Sequence, residues 1–176
     1  DEPLDALGLA SYIALHNVKL LLDARHPYAV QVSKNARAAC LAQNIPYIRY
    51  QRPSIPIDYT KAVFAESAEE AASLAPNLGK HIFLTTGSKD LATFADALLG
   101  KVSLTARVLP TSAALTLCET LGLTPKNIVA LEGPFSQALN RELFRKYGTD
   151  VVVMKESGQV GGEDTKLAAI EELGLY

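Results

Sequence analysis

Over 176 residues, 17 Lys and Arg stand against 19 Asp and Glu, a formal net charge of −2, with 48% hydrophobic and 20% charged residues. Those are the proportions of an ordinary globular protein, long enough to bury a core without a metal or disulfide. The near-neutral balance argues against nucleic acid or an anionic membrane as the main partner, since both call for a basic surface.

In chain order, apolar runs alternate with amphipathic segments. Residues 17–24 (NVKLLLDA) read as a buried strand, and residues 28–43 carry helical spacing, with Ala29, Val32, Ala36, Ala39 and Cys40 on one face. Residues 44–50 form a second short strand, and residues 52–57 (RPSIPI) hold two prolines, the best candidate for a linker or crossover. Beyond it, strands are expected at 61–64, 81–85, 101–109, 127–131 and 150–154, and helices at 67–74, 90–99, 111–121, 136–147 and 163–173. This alternation calls for right-handed βαβ units and a doubly wound parallel sheet covered on both faces. No apolar run approaches the ~20 residues of a membrane span. Cys40 and Cys118 lack CxxC or metal-ligand spacing, consistent with a reduced, cytoplasmic setting.

In open α/β sheets, ligands bind beyond the carboxyl ends of the strands. The loops there are Arg25-His26-Pro27-Tyr28, Thr86-Gly87-Ser88-Lys89-Asp90, Pro110-Thr111-Ser112, Glu132-Gly133-Pro134-Phe135-Ser136 and residues 155–162. Most of them combine small or hydroxyl residues with a helix start, so backbone N–H groups and the helix dipole can cradle an anion. Arg25, His26, Lys89 and Lys155 lie in these loops and Arg107 near a strand end, which points to a phosphate- or carboxylate-bearing ligand. Thr86-Gly87-Ser88 equally suits a helix cap with a turn glycine, and Ser136 a plain N-cap. Gly158, Gly161 and Gly162 within five residues are harder to ascribe to a turn alone, because each adds backbone entropy to be lost on folding. Arg49 and Arg107, in or at the end of strands, need a partner if buried, from a protein carboxylate or from a ligand. There is no GxGxxG, GxxxxGK[ST], HExxH or GxSxG.

Taken in order, six stretches resemble the precorrin-6A and cobalt-precorrin-6A reductases of corrin biosynthesis. They are Leu22-Asp23-Ala24-Arg25-His26-Pro27-Tyr28-Ala29 with Ser33 and Asn35-Ala36; Arg49-Tyr50 with Arg52-Pro53; and Phe83-Leu84-Thr85-Thr86-Gly87-Ser88-Lys89. Arg107-Val108-Leu109-Pro110, Gly133-Pro134-Phe135-Ser136 with Asn140, and Lys155-Glu156-Ser157-Gly158 with Gly161-Gly162 and Lys166 complete the set. Arg25 departs from the threonine usual in the family. The strand, Gly-Gly-Thr-type loop and helix with which members begin are missing, and Met154 is the only methionine, so a fragment or a protein whose front part is not included is expected.

The resemblance implies two flavodoxin- or Rossmann-like lobes, residues 1–53 as the remainder of the first and 54–176 as the second, with residues 52–57 as hinge and the ligands in the cleft between lobes. It implies hydride transfer from NADPH or NADH to a macrocycle carbon, a proton added at the neighbouring carbon, and no metal. His26 and Tyr28 are the implied catalytic residues. Thr86, Gly87, Ser88, Gly133, Ser136, Lys155, Ser157 and Gly158 are assigned to the cofactor. Arg25, Ser33, Asn35, Arg49, Arg107, Asn140, Gly161 and Gly162 are assigned to the tetrapyrrole. A monomer or small homo-oligomer is expected, with neither nucleic acid nor membrane as partner. The competing expectation is a non-catalytic anion- or tetrapyrrole-binding α/β module.

Overall fold

A computed structural model describes residues 4–24, 30–50, 57–155 and 162–176. The chain divides into two compact units, Asp1–Ser54 and Ile55–Tyr176.

In the first unit the order is α1 (Ala6–Leu15), β1 (Leu21–Asp23), α2 (Val30–Ala42) and β2 (Tyr47–Arg49). The two strands pair in parallel, from Leu21 opposite Tyr47 to Asp23 opposite Arg49. Ala10 and Ile13 of α1 pack on Ala39 and Cys40 of α2, small side chains that let the helices approach closely. Asn17 and Asn44 follow the two helices with φ of +51 and +50, the left-handed exit that asparagine tolerates. Sequence patterning did not reveal α1. Its segment ALGLASYIAL has no charged residue, so no polar face contrasts with its apolar one. The capping carboxylate of Asp5, which accepts from Gly8 N at 2.7 Å, was the available signal. The run 17–24 yields a strand only from Leu21. Before it, Val18 N donates to Ile13 O (3.0 Å) and closes the end of α1.

The second unit contains α3 (Ala68–Leu78), β3 (His81–Leu84), α4 (Leu91–Leu98), β4 (Ser103–Val108) and α5 (Ser112–Thr120). A 3-10 turn (Pro125–Asn127) leads to β5 (Ile128–Ala130), then α6 (Gln137–Lys146), β6 (Val151–Val153) and α7 (Glu163–Leu173). The sheet order is β5-β4-β3-β6 and all pairings are parallel. Period-2 alternation divides the strand side chains between two cores. Ile82, Leu84, Leu104, Ala106 and Val108 meet α3, α4 and α5, whereas Phe83, Val129 and Val152 meet α6 and α7. On the second face Phe83 packs edge-on against Phe144, ring centroids 5.2 Å apart. The C-terminal residue adds to the sheet: Tyr176 N donates to Asp150 O and Val152 N donates to Tyr176 O.

Residues 61–64 are not the expected strand. Ala62 N donates to Tyr59 O (2.9 Å) in a local turn, the segment joins no ladder, and Val63 and Phe64 are exposed. A four-residue apolar run has nothing but a neighbouring strand edge to make it a strand.

Candidate functional site

The strand order places a topological switch in the second unit. The chain steps from β3 to β4 to β5 in one direction, then returns to set β6 on the other side of β3. The helices that follow the neighbouring strands β3 and β6 leave to opposite faces, α4 into one core and α7 into the other. Such a divergence opens a crevice at the strand carboxyl ends.

The local geometry there differs from the rest of the fold. Helices α1, α3, α5 and α6 are each capped by a side chain (Asp5, Ser67, Thr111 and Ser136). Helices α4 and α7 are not: Asp90 makes no capping hydrogen bond, and Gly162 has no side chain with which to cap. Gly87 adopts φ +78, and a Cβ there would meet nothing within 4 Å, so its backbone is open to approach. Thr86 Oγ1 is buried and has no hydrogen-bond partner among the described residues, a deficit that buried hydroxyls seldom carry. Thr85 is fully engaged, its N–H and Oγ1 both donating to Val153 O and binding the two strand ends together. Lys155 extends from the end of β6 to Asp90 at the start of α4, Nζ to Oδ2 2.6 Å, so its charge is already shared with a protein carboxylate.

A polar cluster lies beside these strand ends on the α6/α7 face. Arg107 of β4, 7% exposed, donates from Nη1 to Asn140 Oδ1 at 2.7 Å, and its guanidinium stacks on the Phe135 ring at 4.1 Å. Burial lowers its pKa to about 10. Lys166, 6% exposed on α7, is lowered to about 8, first by burial and then by Arg107, with Glu163 and Asp164 acting the other way. Among the described residues no carboxylate lies within ion-pair distance of either cation. Thr165 holds the start of α7 to the loop before α6, Oγ1 donating to Phe135 O at 2.9 Å.

The other expected residues divide into three groups. Ser136 is a cap, its Oγ accepting from Leu139 N, and Gly133 sits against the Phe135 ring. Ser88 is at the turn into α4, where its carbonyl accepts from Leu91 N. In the first unit the buried Ser33 donates to Asp23 Oδ2 at 2.6 Å, and Asn35 bonds Gln31 and Leu4 on an exposed helix face. Arg49 is exposed, so the need for a partner that burial would impose does not arise: β2 buries none of its three residues. Arg25, His26, Tyr28, Ser157, Gly158 and Gly161 lie outside the described residues, as do residues 52–56 of the expected hinge. Sequence reasoning assigned no role to Lys166 or Phe135. The available signal was periodicity, because Glu163, Lys166 and Ile170 share the buried stripe of α7, where charges are out of place.

A family model described as precorrin-6x reductase CbiJ/CobK matches residues 1–176. The chain belongs to this family. Among curated relatives, it is similar to the cobalt-precorrin-6A reductase of Priestia megaterium, 44% identical over 169 residues (95% of this chain and 66% of the relative). It is 36% identical over 170 residues to the precorrin-6A reductase of Rhodococcus erythropolis, covering 96% of this chain and 64% of that one. Among solved structures, a CobK precorrin-6A reductase superposes with a TM-score of 0.81 at 27% identity, covering 99% of this chain and 68% of that chain. This CbiJ/CobK family member therefore spans about two thirds of the length of the curated relatives it matches.

Proposed function

We propose that the protein reduces one double bond of the precorrin-6A or cobalt-precorrin-6A macrocycle to the 6B form with NADH or NADPH, binding the dinucleotide at the β3/β6 switch. The observation that carries this reading is the coincidence, at one crevice, of two helices without side-chain caps, an open glycine backbone and the unpartnered hydroxyl of Thr86. These groups fit a dinucleotide pyrophosphate, which takes up free helix N–H donors and a hydroxyl proton.

The nicotinamide, when bound, supplies the hydride. The work of this chain is to bind and orient. Thr86 Oγ1, the Gly87 backbone and Ser88 hold phosphate oxygens, and the Lys155–Asp90 pair keeps the α4 and β6 ends in register. Arg107 and Asn140 face the acidic substrate, whose acetate and propionate groups suit guanidinium and amide donors. Aligning the two ligands is where an enzyme without a nucleophile gains most of its rate.

The test mixes protein with each reduced nicotinamide and with precorrin-6A or cobalt-precorrin-6A, following loss of the reduced-nicotinamide absorbance. Turnover is expected with one of the four pairings. Binding of both ligands without turnover would overturn the enzyme reading in favour of a binding module.

A further inference from the structure

The Arg107 and Lys166 cluster has the wrong composition for a structural ion pair. Both cations are more than nine-tenths buried. Arg107 has an amide and an aromatic face as its partners, and among the described residues the Lys166 side chain makes no hydrogen bond or ion pair. Burying a charge without a counterion is among the costliest arrangements a fold can contain. Arg107, on β4, and Lys166, on α7, moreover sit close enough to repel one another. The charged groups around Lys166 are Arg107 from β4 and, on its own helix, Glu163 and Asp164, while α6 contributes the neutral Asn140. Of these, Arg107, Lys166 and Glu163 are buried, and together they leave one net positive charge. A single carboxylate neutralises that. A phosphate monoester, with nearly two negative charges at neutral pH, overshoots it.

Resting on the reductase reading above, we propose that Arg107, Asn140 and Lys166 form a receptor for one carboxylate of the macrocyclic substrate, with Lys166 supplying the second positive charge. The receptor adjoins the uncapped start of α7, where Lys166 N donates to Gly162 O and Asn140 Nδ2 donates to Thr165 Oγ1, so its assignment to the substrate rests on the charge balance and not on distance from the switch-point crevice. Because the carboxylate compensates Lys166, substrate binding raises the lysine's affinity for protons. At about pH 8.5, where the free lysine is largely neutral, binding draws in a proton.

The discriminating variant is Lys166→Met, which removes a desolvated charge while keeping the length and apolar character of the stem. Cobalt-precorrin-6A, NADH and NADPH are titrated separately into wild type and variant by calorimetry, in buffers of different ionisation enthalpy. The expected result is threefold. Affinity for cobalt-precorrin-6A falls by about 10- to 100-fold, proton uptake on its binding disappears, and the melting temperature is unchanged or higher. Affinity for both nucleotides stays the same. A loss confined to the nucleotides would overturn the proposal by assigning the cations to phosphate. Unchanged substrate affinity and proton uptake, in a variant that still turns over, would overturn the proposal alone. Failure of the wild type to bind cobalt-precorrin-6A and also metal-free precorrin-6A, titrated in the same way, would overturn both the receptor and the reductase reading.

Discussion

Each unit buries a polar cluster at the carboxyl end of its strands, and the two clusters are built on opposite principles. In the first, Asp23 is 2% exposed and accepts from Ser33 Oγ at 2.6 Å and from Tyr47 Oη at 2.7 Å. Burial, then the hydrogen bond to Asp23, pushes the Tyr47 hydroxyl above its ordinary pKa, so it stays a donor. In the second, Arg107 and Lys166 are as deeply buried but have no carboxylate within ion-pair distance among the described residues. A charge satisfied by its own fold holds strands and helices together. A charge left short of partners destabilises the fold and is available to a ligand.

The comparison breaks most visibly at Asp23. Asp23→Ala strips both hydroxyls of their acceptor, that of Ser33 buried and that of Tyr47 half-buried, so a loss of about 2–4 kcal/mol is expected in urea unfolding. A loss near zero would mean that the first cluster is as dispensable to the apo fold as the second.

Next in size is the pH dependence that Lys166 imposes. Its pKa is lowered from 10.5 to about 8 in the folded chain, so between those values the native state holds fewer protons than the unfolded one. Unfolding then takes up protons, and stability rises with pH across that window, by about 3 kcal/mol in total. Below about pH 8 both states are protonated and the cost of the buried charge is fully present. Lys166→Met is expected to flatten this rise in denaturation curves collected from about pH 7 to 11.

Two hydroxyls sharpen the same contrast on a smaller scale. Ser136 is satisfied as a cap, so Ser136→Ala is expected to cost about 1 kcal/mol of stability. Any loss of nicotinamide affinity beyond that would show a second role. Thr86 is unsatisfied, and Thr86→Val is expected to leave the melting temperature within about 2 °C or raise it, while weakening nicotinamide binding up to about 10-fold. Thermal melts and fluorescence titration measure the two sides. Lower stability with intact binding would place Thr86 with Ser136.

The strand–helix rhythm was legible in the sequence because apolar periodicity is a local consequence of burying one face or both. It located β3 to β6 and α3 to α7 to within a few residues. It failed where local pattern and tertiary context part. Helix α1 has no charged residues to mark an outer face, and residues 61–64 have strand-like composition but no adjacent edge. The loops that approach the switch point were also legible, as glycine and hydroxyl residues ahead of helix starts. What those residues do there was not. Whether Ser136 caps or binds, whether Lys155 is free or paired with Asp90, and whether Arg49 is buried depend on which side chains arrive from distant segments. Lys166 is the clearest case. In the sequence it is a lysine in a helix, and only the packing of α7 against β4 and α6 puts it beside Arg107, largely buried and, among the described residues, with no carboxylate within ion-pair distance. Composition and periodicity are properties of neighbours along the chain, whereas desolvation and charge balance are properties of neighbours in space, and those exist only once the chain has folded.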